Sequence, residues 1–274
     1  MGSLCGRLFL GCFGAYSQAL CKIAMTRLRR LCRAMLPGVF ALGAGAVWSA
    51  DLPLVTLDWP PYSGHISQQG FLSVVIRQAY ATQGHTVSVK VYPWRRAIKL
   101  AMEGRAYGPL GFYSASQSEC AEANGVVSDA IGSFQFGLAQ RKGSQAPWRD
   151  GTDLHGKRIG VVDGYDNGPE INSLIERGLV TADVAPSDLF SLKKLEAKRV
   201  DYVSIDQQVF EHLAAKHKLK GLEMSSRSTM PKLPLFVCFN RTAYSDSMRL
   251  SLNEGLKRIN IRKLAQDYLR AETR

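Results

Sequence analysis

The sequence has 274 residues and a formal net charge of +12, with 35 Lys and Arg against 23 Asp and Glu. Six of the basic residues and none of the acidic ones lie in the first 50 residues, which leaves 29 against 23, or +6, in the remainder. Because that remainder has no basic run interleaved with aromatic residues, nucleic acid is not expected as a partner. Its length suits one large or two modest domains.

The first 50 residues have the pattern of a secretory signal peptide. A basic cluster at residues 27–33 precedes an apolar run at 36–47, and two small residues close the segment. The run is shorter than the roughly 20 residues that span a bilayer as a helix. We therefore expect export followed by cleavage. Met25 is an alternative start, in which case residues 1–24 are an upstream extension.

Residues 54–104 predict a strand, loop, helix, strand, loop and helix in that order. Two consecutive prolines end the first strand in an aromatic loop, because proline cannot continue a helix or a strand ladder. Apolar residues then recur at helical spacing and later alternate with polar ones. In a parallel sheet both loops lie at the carboxyl edge, where open α/β sheets bind ligands. Trp59, Tyr62 and Trp94 are therefore expected to converge there.

This order of elements resembles the first lobe of the periplasmic solute-binding proteins of polar amino acid ABC transporters, the family 3 extracellular solute-binding proteins. An aspartate-aromatic-proline loop at Asp58, a helix begun by Gly70 and a Pro-Trp loop before a helix ending at Gly104 carry the resemblance. It extends over about residues 51–274. The resemblance implies an α/β, two-lobed Venus-flytrap fold of the type II periplasmic binding protein class. Each lobe is then a mostly parallel sheet flanked by helices.

The resemblance also implies where the chain crosses between lobes. An apolar strand is expected from Phe134 to Ala139, the first crossing at Leu138–Gly143, and the boundary loop at 144–148. The strand from Pro234 leads back. The expected divisions are a leader at 1–50, lobe 1 at 51–140, lobe 2 at 141–233, and the return to lobe 1 with the C-terminal helices at 234–274.

In that family, a glycine-rich strand brings backbone and hydroxyl groups to the ligand carboxylate, and an arginine a few residues later clamps it. Here Tyr113, Ser114 and Ser116 end such a strand, but the stretch 117–122 that should hold the arginine is acidic. An ordinary α-amino acid ligand does not suit this pattern.

Two arginines after Trp94 are candidates to replace the missing charge. Arg95 or Arg96 either reaches the ligand or belongs to a solvated first helical turn, and the sequence leaves both interpretations open.

In the second lobe, one loop and the end of one strand are candidates to contact the ligand. The loop 164–169 leads into a helix with proline in its first turn, so free N–H groups at the helix start form an anion or carbonyl site. Tyr165 and Asn167 then face the cleft, although an ordinary βα loop fits the same residues. Asp206 ends a later strand and matches the family's ammonium-binding aspartate. Asp201 is expected to be structural.

The predicted ligand site combines both lobes. Its members are Asp58, Trp59, Tyr62, Trp94, Arg96, Tyr113, Ser114, Ser116, Tyr165, Asn167 and Asp206. The sequence has no Ser/His/Asp, Cys/His or metal-ligand spacing, so no catalytic residue, metal or cofactor is predicted. Cys120 and Cys238 are the cysteines beyond the leader, and both a disulfide and two separate buried thiols remain open.

The resemblance implies a periplasmic, monomeric solute-binding protein that is not an enzyme. It would capture a small polar ligand, amino-acid-like or amine-bearing, by lobe closure for the membrane permease of an ABC transporter. One alternative is a sensory domain that works with a receptor kinase. The other is a lyase similar to the periplasmic cyclohexadienyl dehydratases, with Glu170 or Asp166 as the acid.

Overall fold

The computed structural model describes residues 51–143 and 148–272. The predicted leader and residues 144–147 of the predicted boundary loop lie outside these ranges. The strands are β1 (Asp51–Thr56), β2 (Thr86–Val91), β3 (Gly111–Ala115), β4 (Val126–Val127), β5 (Gly132–Phe134), β6 (Phe136–Arg141), β7 (Arg158–Val162), β8 (Thr181–Ala185), β9 (Tyr202–Asp206), β10 (Leu222–Ser228) and β11 (Leu233–Phe239). The helices are α1 (Phe71–Ala81), α2 (Trp94–Met102), α3 (Gln117–Glu122), α4 (Pro169–Glu176), α5 (Asp188–Glu196), α6 (Gln207–His217), α7 (Ala243–Leu256) and α8 (Ile261–Glu272).

The first sheet has the strand order β2-β1-β3-β11-β4, and β5 also pairs with β11. β1 is parallel to both of its neighbours, and β11 is antiparallel to β3. α1 buries Leu72, Val75 and Ile76 in the core of this lobe. A Cβ at Gly255 would lie 2.2 Å from the Ala79 carbonyl oxygen, so only glycine lets α7 approach α1 this closely.

The second sheet has the strand order β10-β6-β9-β7-β8. β7 is parallel to β8 and β9, whereas β6 is antiparallel to β9 and β10. Leu138, Ile159, Ile171 and Tyr202 belong to a separate buried cluster on one side of this sheet. The architecture is thus two α/β lobes, as the sequence predicted. Each sheet is mixed and not mostly parallel, because β11 in the first sheet and β6 and β10 in the second pair antiparallel.

The chain enters the second sheet earlier than the sequence indicated. β5 pairs with β11 in the first sheet, and β6 pairs with β9 in the second, so the crossing lies at Gln135 and not at Leu138–Gly143. The sequence indicated one strand because apolar residues lie on both sides of Gln135, at Phe134 and Phe136. On the way back, the chain leaves β10 at Ser228 and enters β11 at Leu233.

Cys120 and Cys238 form a disulfide, with their Cα atoms 5.5 Å apart. It ties α3 to β11, two elements 118 residues apart in sequence. The alternative of two separate thiols is therefore wrong. A Cβ at Gly125 would lie 2.2 Å from the Cys238 sulfur, so the turn beside the bridge requires glycine.

Within the described residues, none of the helices combines the length and the apolar character needed to cross a membrane.

Candidate functional site

A small cavity lies between the two lobes at the carboxyl ends of their strands. Both lobes supply its walls, which is the place expected for a ligand in open α/β sheets. The lining residues are Leu57, Trp59, Trp94, Ser114, Glu119, Phe134, Phe136, Tyr165, Asp166 and Leu235.

Trp59 forms the centre of the aromatic wall. A tight turn after β1 fixes its backbone, because the Trp59 N–H donates to the Ser63 carbonyl and the Trp59 carbonyl accepts from Tyr62 and Ser63. The indole stacks on the Tyr62 ring with a centroid distance of 4.5 Å. It meets Phe136 and Tyr165 edge-on at 6.3 and 6.4 Å. The predicted convergence of loop aromatics is therefore seen for Trp59 and for Trp94, which lines the same cavity.

Ser114 supplies a hydroxyl at the end of β3. Its φ is +76°, a left-handed conformation that costs free energy in any residue other than glycine and often marks a functional site. Its Oγ lies 3.1 Å from the Ser63 Oγ and 3.3 Å from the Thr56 Oγ1. The hydroxyls form a polar network beneath the aromatic wall.

Glu119 is a cavity residue that the sequence analysis did not select. Ser116 caps α3 by accepting from the Glu119 N–H, and the Glu119 Oε2 accepts in return from the Ser116 N–H at 2.8 Å. The Glu119 Oε1 accepts from the Trp94 indole N–H at 3.0 Å. Burial raises the pKa of the Glu119 carboxyl, and nearby Asp166 raises it further. The acidic stretch 117–122 was the available signal, since this carboxylate lies where an arginine was expected.

Asp166 faces that wall from the second lobe. Its Oδ1 accepts from the Gly168 N–H at 2.9 Å and from the Asn172 side-chain amide at 2.8 Å, which holds the loop against α4. Its Oδ2 accepts from the Ser118 hydroxyl of the first lobe at 3.4 Å. Asp166 therefore contributes both to the cavity and to the contact between lobes.

Tyr165 lines the cavity with its ring and reaches deeper with its hydroxyl, which lies 3.4 Å from the Asp188 Oδ2. Burial raises the pKa of the Asp188 carboxyl to about 7, even though the Tyr165 hydroxyl acts in the opposite direction. The Asp188 Oδ1 has no hydrogen-bond partner in the described part of the chain.

Asp206 is expected from the sequence to hold a ligand ammonium group. In the structure, its carboxylate accepts hydrogen bonds from other groups of the protein. Its Oδ1 caps α6 by accepting from the Gln208 and Val209 N–H groups, and its Oδ2 accepts from the Gln135 N–H at 2.8 Å. The Tyr62 hydroxyl donates to the same carboxylate. A carboxylate accepts about four hydrogen bonds, so these four contacts use its capacity. Asp206 is 1% exposed and is not among the cavity residues.

Neither arginine after Trp94 replaces the missing charge inside the cavity. The exposed Arg95 pairs with Asp163 of the second lobe at 3.0 Å. The Arg96 guanidinium lies 5.0 Å from the centre of the Tyr92 ring, and the residue is exposed. The structure therefore fits the interpretation that Arg96 belongs to a solvated first helical turn.

Four other predicted site residues lie around the cavity without lining it. Asp58 is exposed and accepts from the His65 N–H. The Tyr113 hydroxyl lies 2.5 Å from a serine hydroxyl in the core of the first lobe. Ser116 is occupied as the cap of α3. Asn167 is buried and donates to the Tyr165 carbonyl, and its own side-chain oxygen has no partner within residues 51–143 and 148–272.

The described residues contain no group of three or more His, Cys, Asp or Glu side chains placed to hold a metal ion.

No family model and no curated protein matches the sequence. Solved structures do match the fold. The chain is similar to a histidine kinase sensor domain with similarity to periplasmic binding proteins, with a TM-score of 0.67 and 18% identity over 82% of this chain and 96% of that one. An ancestral arginine-binding protein bound to arginine has a TM-score of 0.68 and 16% identity over 80% and 97%. The GluR0 ligand-binding core from Nostoc punctiforme in complex with glutamate has a TM-score of 0.64 and 19% identity over 79% and 96%.

The fold is therefore that of the type II periplasmic binding proteins, which confirms the fold inferred from the sequence. At these levels of identity, the likeness concerns the fold alone.

Proposed function

We propose that this protein is a receptor for a small polar solute, which it captures by closing its two lobes. The observation that carries the proposal is the composition of the cavity wall. Trp59 and Glu119 come from the first lobe, whereas Tyr165 and Asp166 come from the second. A ligand that touches both walls binds the closed arrangement better than the open one, and this differential affinity drives closure.

The two crossings of the chain support such a motion. The lobes are joined at Gln135 and between Ser228 and Leu233, so the covalent links are short and lie side by side at one edge of the first sheet. Short connections of this kind concentrate backbone rotation in a few residues, as hinge closure requires.

The cellular setting is also part of the proposal. The signal-like leader supports a periplasmic location, and we infer delivery of the bound solute to the membrane permease of an ABC transporter. The structural neighbours that bind arginine and glutamate are consistent with an amino-acid-like or amine-bearing ligand. We expect the receptor to work as a monomer.

A sensory role is the second candidate, and one contact favours it. The Tyr62 hydroxyl and the Asp206 carboxylate join the lobes without a solute between them. A protein that reports on closure benefits from such a direct link, and one of the structural neighbours is a kinase sensor domain. Of the two acids considered for the lyase alternative, Glu170 pairs with Arg227 and is not among the cavity residues, whereas Asp166 lines the cavity, so Asp166 is the acid this alternative would use.

Closure and solute capture are tested together by purifying the protein, identifying co-purified small molecules by mass spectrometry, and adding them back. The expected result is a smaller scattering radius and a higher melting temperature with the added solute. A stabilising solute that leaves the radius unchanged would rule out capture by closure. Pull-down of a permease in preference to a kinase separates transport from sensing.

A further inference from the structure

Among the described residues that line the cavity, the charged side chains are negative and none is positive. Glu119 and Asp166 are the charged residues among those that line it, and they come from opposite lobes. Asp166 lies near enough to Glu119 to make a minor contribution to the raised pKa of Glu119, which burial dominates. The fold therefore brings two carboxyl groups together across the space a ligand would occupy.

Bringing two carboxylates together in a partly buried site is unfavourable unless a positive charge lies between them. A bound cation removes this penalty, whereas a ligand carboxylate adds to it. Arg95 and Arg96 cannot balance the charge, because Arg95 pairs with Asp163 at the rim and Arg96 lies over the Tyr92 ring.

The remainder of the wall suits an apolar ligand body. Trp59, Trp94 and Tyr165 present aromatic rings, and aromatic faces attract organic cations as well as apolar groups. Leu57 and Leu235 complete this surface.

The Trp59 indole N–H is a further hydrogen-bond donor that a ligand could use. The Trp59 side chain is 4% exposed, and its indole N–H has no hydrogen-bond partner in the part of the chain that the structure describes. Buried donors are rarely left unpaired. The Ser114 hydroxyl lines the same cavity, so a neutral hydroxyl or carbonyl oxygen on the ligand would find donors here.

Resting on the proposed receptor function, we propose that the cleft selects a compact organic ammonium ion that lacks a carboxylate. Its charge lies between Glu119 and Asp166, its apolar body packs on Trp59 and Tyr165, and a neutral oxygen accepts from the Trp59 N–H. Glu119 is then the residue that determines specificity, because it rejects the carboxylate of an α-amino acid.

Matched probe sets test this inference. For the side chains of alanine, leucine and phenylalanine, the amino alcohol is a cation, the amino acid a zwitterion, and the deaminated acid an anion of nearly the same shape. Calorimetry and thermal shift are measured for each compound. We expect the amino alcohol of the best-fitting size to bind at least tenfold more tightly than its amino acid, and the anion not to bind.

Glu119→Gln is the decisive variant. Glutamine preserves the shape, and its side-chain oxygen can still accept from the Ser116 N–H of the capping box. Its amide nitrogen then faces the Trp94 N–H, which loses its acceptor, so the melting temperature should fall somewhat while circular dichroism reports an intact fold. Binding of the amino alcohol should fall at least tenfold. Glu122→Gln is the matched control, since Glu122 lies exposed on the same helix, and it should have no effect. Asp166→Asn should weaken binding in the same direction from the other lobe.

The outcomes separate the two proposals. An amino acid that binds more tightly than its alcohol, or an unchanged affinity in Glu119→Gln, overturns the cation inference and leaves the receptor standing. The same holds if the protein co-purifies with a small molecule that carries no positive charge. If no probe binds and no small molecule co-purifies, the receptor function fails and the inference fails with it.

Discussion

The Tyr62 hydroxyl of the first lobe donates a hydrogen bond to the Asp206 carboxylate of the second lobe. Both residues are 1% exposed, so this contact lies in the interior where the lobes meet. Burial raises the pKa values of both groups, and the charge of Asp206 raises that of Tyr62 further. The Tyr62 hydroxyl thus contacts the aspartate that the family resemblance assigns to a ligand ammonium group.

Tyr62→Phe should shift the protein toward the open arrangement. A hydrogen bond to a charged group contributes about 1.5 to 3 kcal/mol, and here the loss falls on the contact between lobes. Small-angle scattering should show a larger radius. Tyr80→Phe is the matched control, because the Tyr80 hydroxyl donates to the Met248 carbonyl within the first lobe. Equal radii for the two variants would contradict the role of Tyr62 as a link.

The rim of the cleft should contribute a weaker, salt-sensitive link. Arg95 and Asp163 pair at 3.0 Å, with side chains 70% and 56% exposed. Exposed pairs contribute at most about 1 kcal/mol and are screened by salt. Arg95→Gln should therefore favour the open arrangement slightly at low ionic strength and have no effect in 1 M salt. Fluorescence transfer between labels on the two lobes measures this opening.

Arg105→Gln serves as the control for the rim pair, since Arg105 pairs with Glu103 of the same lobe. A change in fluorescence transfer of the same size in both variants would mean that the Arg95 pair does not act between lobes.

Local sequence signals explain which parts of the fold were predictable. The double proline and the glycines that bound α1 act on neighbouring residues alone, so the order of strand, loop and helix follows from them. The crossing at Gln135 depends instead on a distant pairing, in which Phe136 lies opposite Asp206. Nothing near Gln135 in the sequence encodes that partner.

The candidate site also has one part that the sequence predicted and one part that it did not. Trp59, Trp94, Ser114 and Tyr165 line the cavity because each follows or ends a strand at the carboxyl edge of its sheet. The strand end at Asp206 was predictable, but its hydrogen-bond partners were not, because Gln135 and Tyr62 lie far away in sequence.

Loss of the Cys120–Cys238 disulfide should lower the free energy of unfolding. The bridge closes a loop of 118 residues, and the chain-entropy argument gives about 5 kcal/mol for a loop of this length. Urea denaturation with and without reductant measures the change. In the double variant Cys120→Ala/Cys238→Ala, reductant should have no further effect, and a reductant-sensitive midpoint there would point to another cause.

Reduction should also weaken solute binding, because Cys120 directly follows Glu119 in α3. The bridge anchors this short helix to β11, and freeing it should let the Glu119 carboxylate move. Binding should weaken in the double variant even at a temperature where circular dichroism reports a folded protein.

Asp188→Asn should change how stability depends on pH. Burial raises the pKa of Asp188 from 3.8 to about 7 in the folded protein. The folded state therefore keeps a proton that the unfolded state has released, and this group contributes stability that is full below about pH 4 and declines until about pH 7. The asparagine variant is neutral at every pH and lacks this decline. Its unfolding free energy relative to the wild type should rise on the order of 1 kcal/mol per pH unit between pH 5 and 7, and then level off.

Urea unfolding at a series of pH values measures this difference. Tyr165 and Asp206 are the groups that act on Asp188 most directly, so Tyr165→Phe should raise its pKa further and move the plateau to higher pH. Asp267→Asn, at an exposed position of α8, is the control. Its unfolding free energy should depend on pH in the same way as that of the wild type. If Asp188→Asn also runs parallel to the wild type from pH 5 to 8, Asp188 is ionised throughout, and the buried carboxyl beside Tyr165 carries a charge that its surroundings must stabilise.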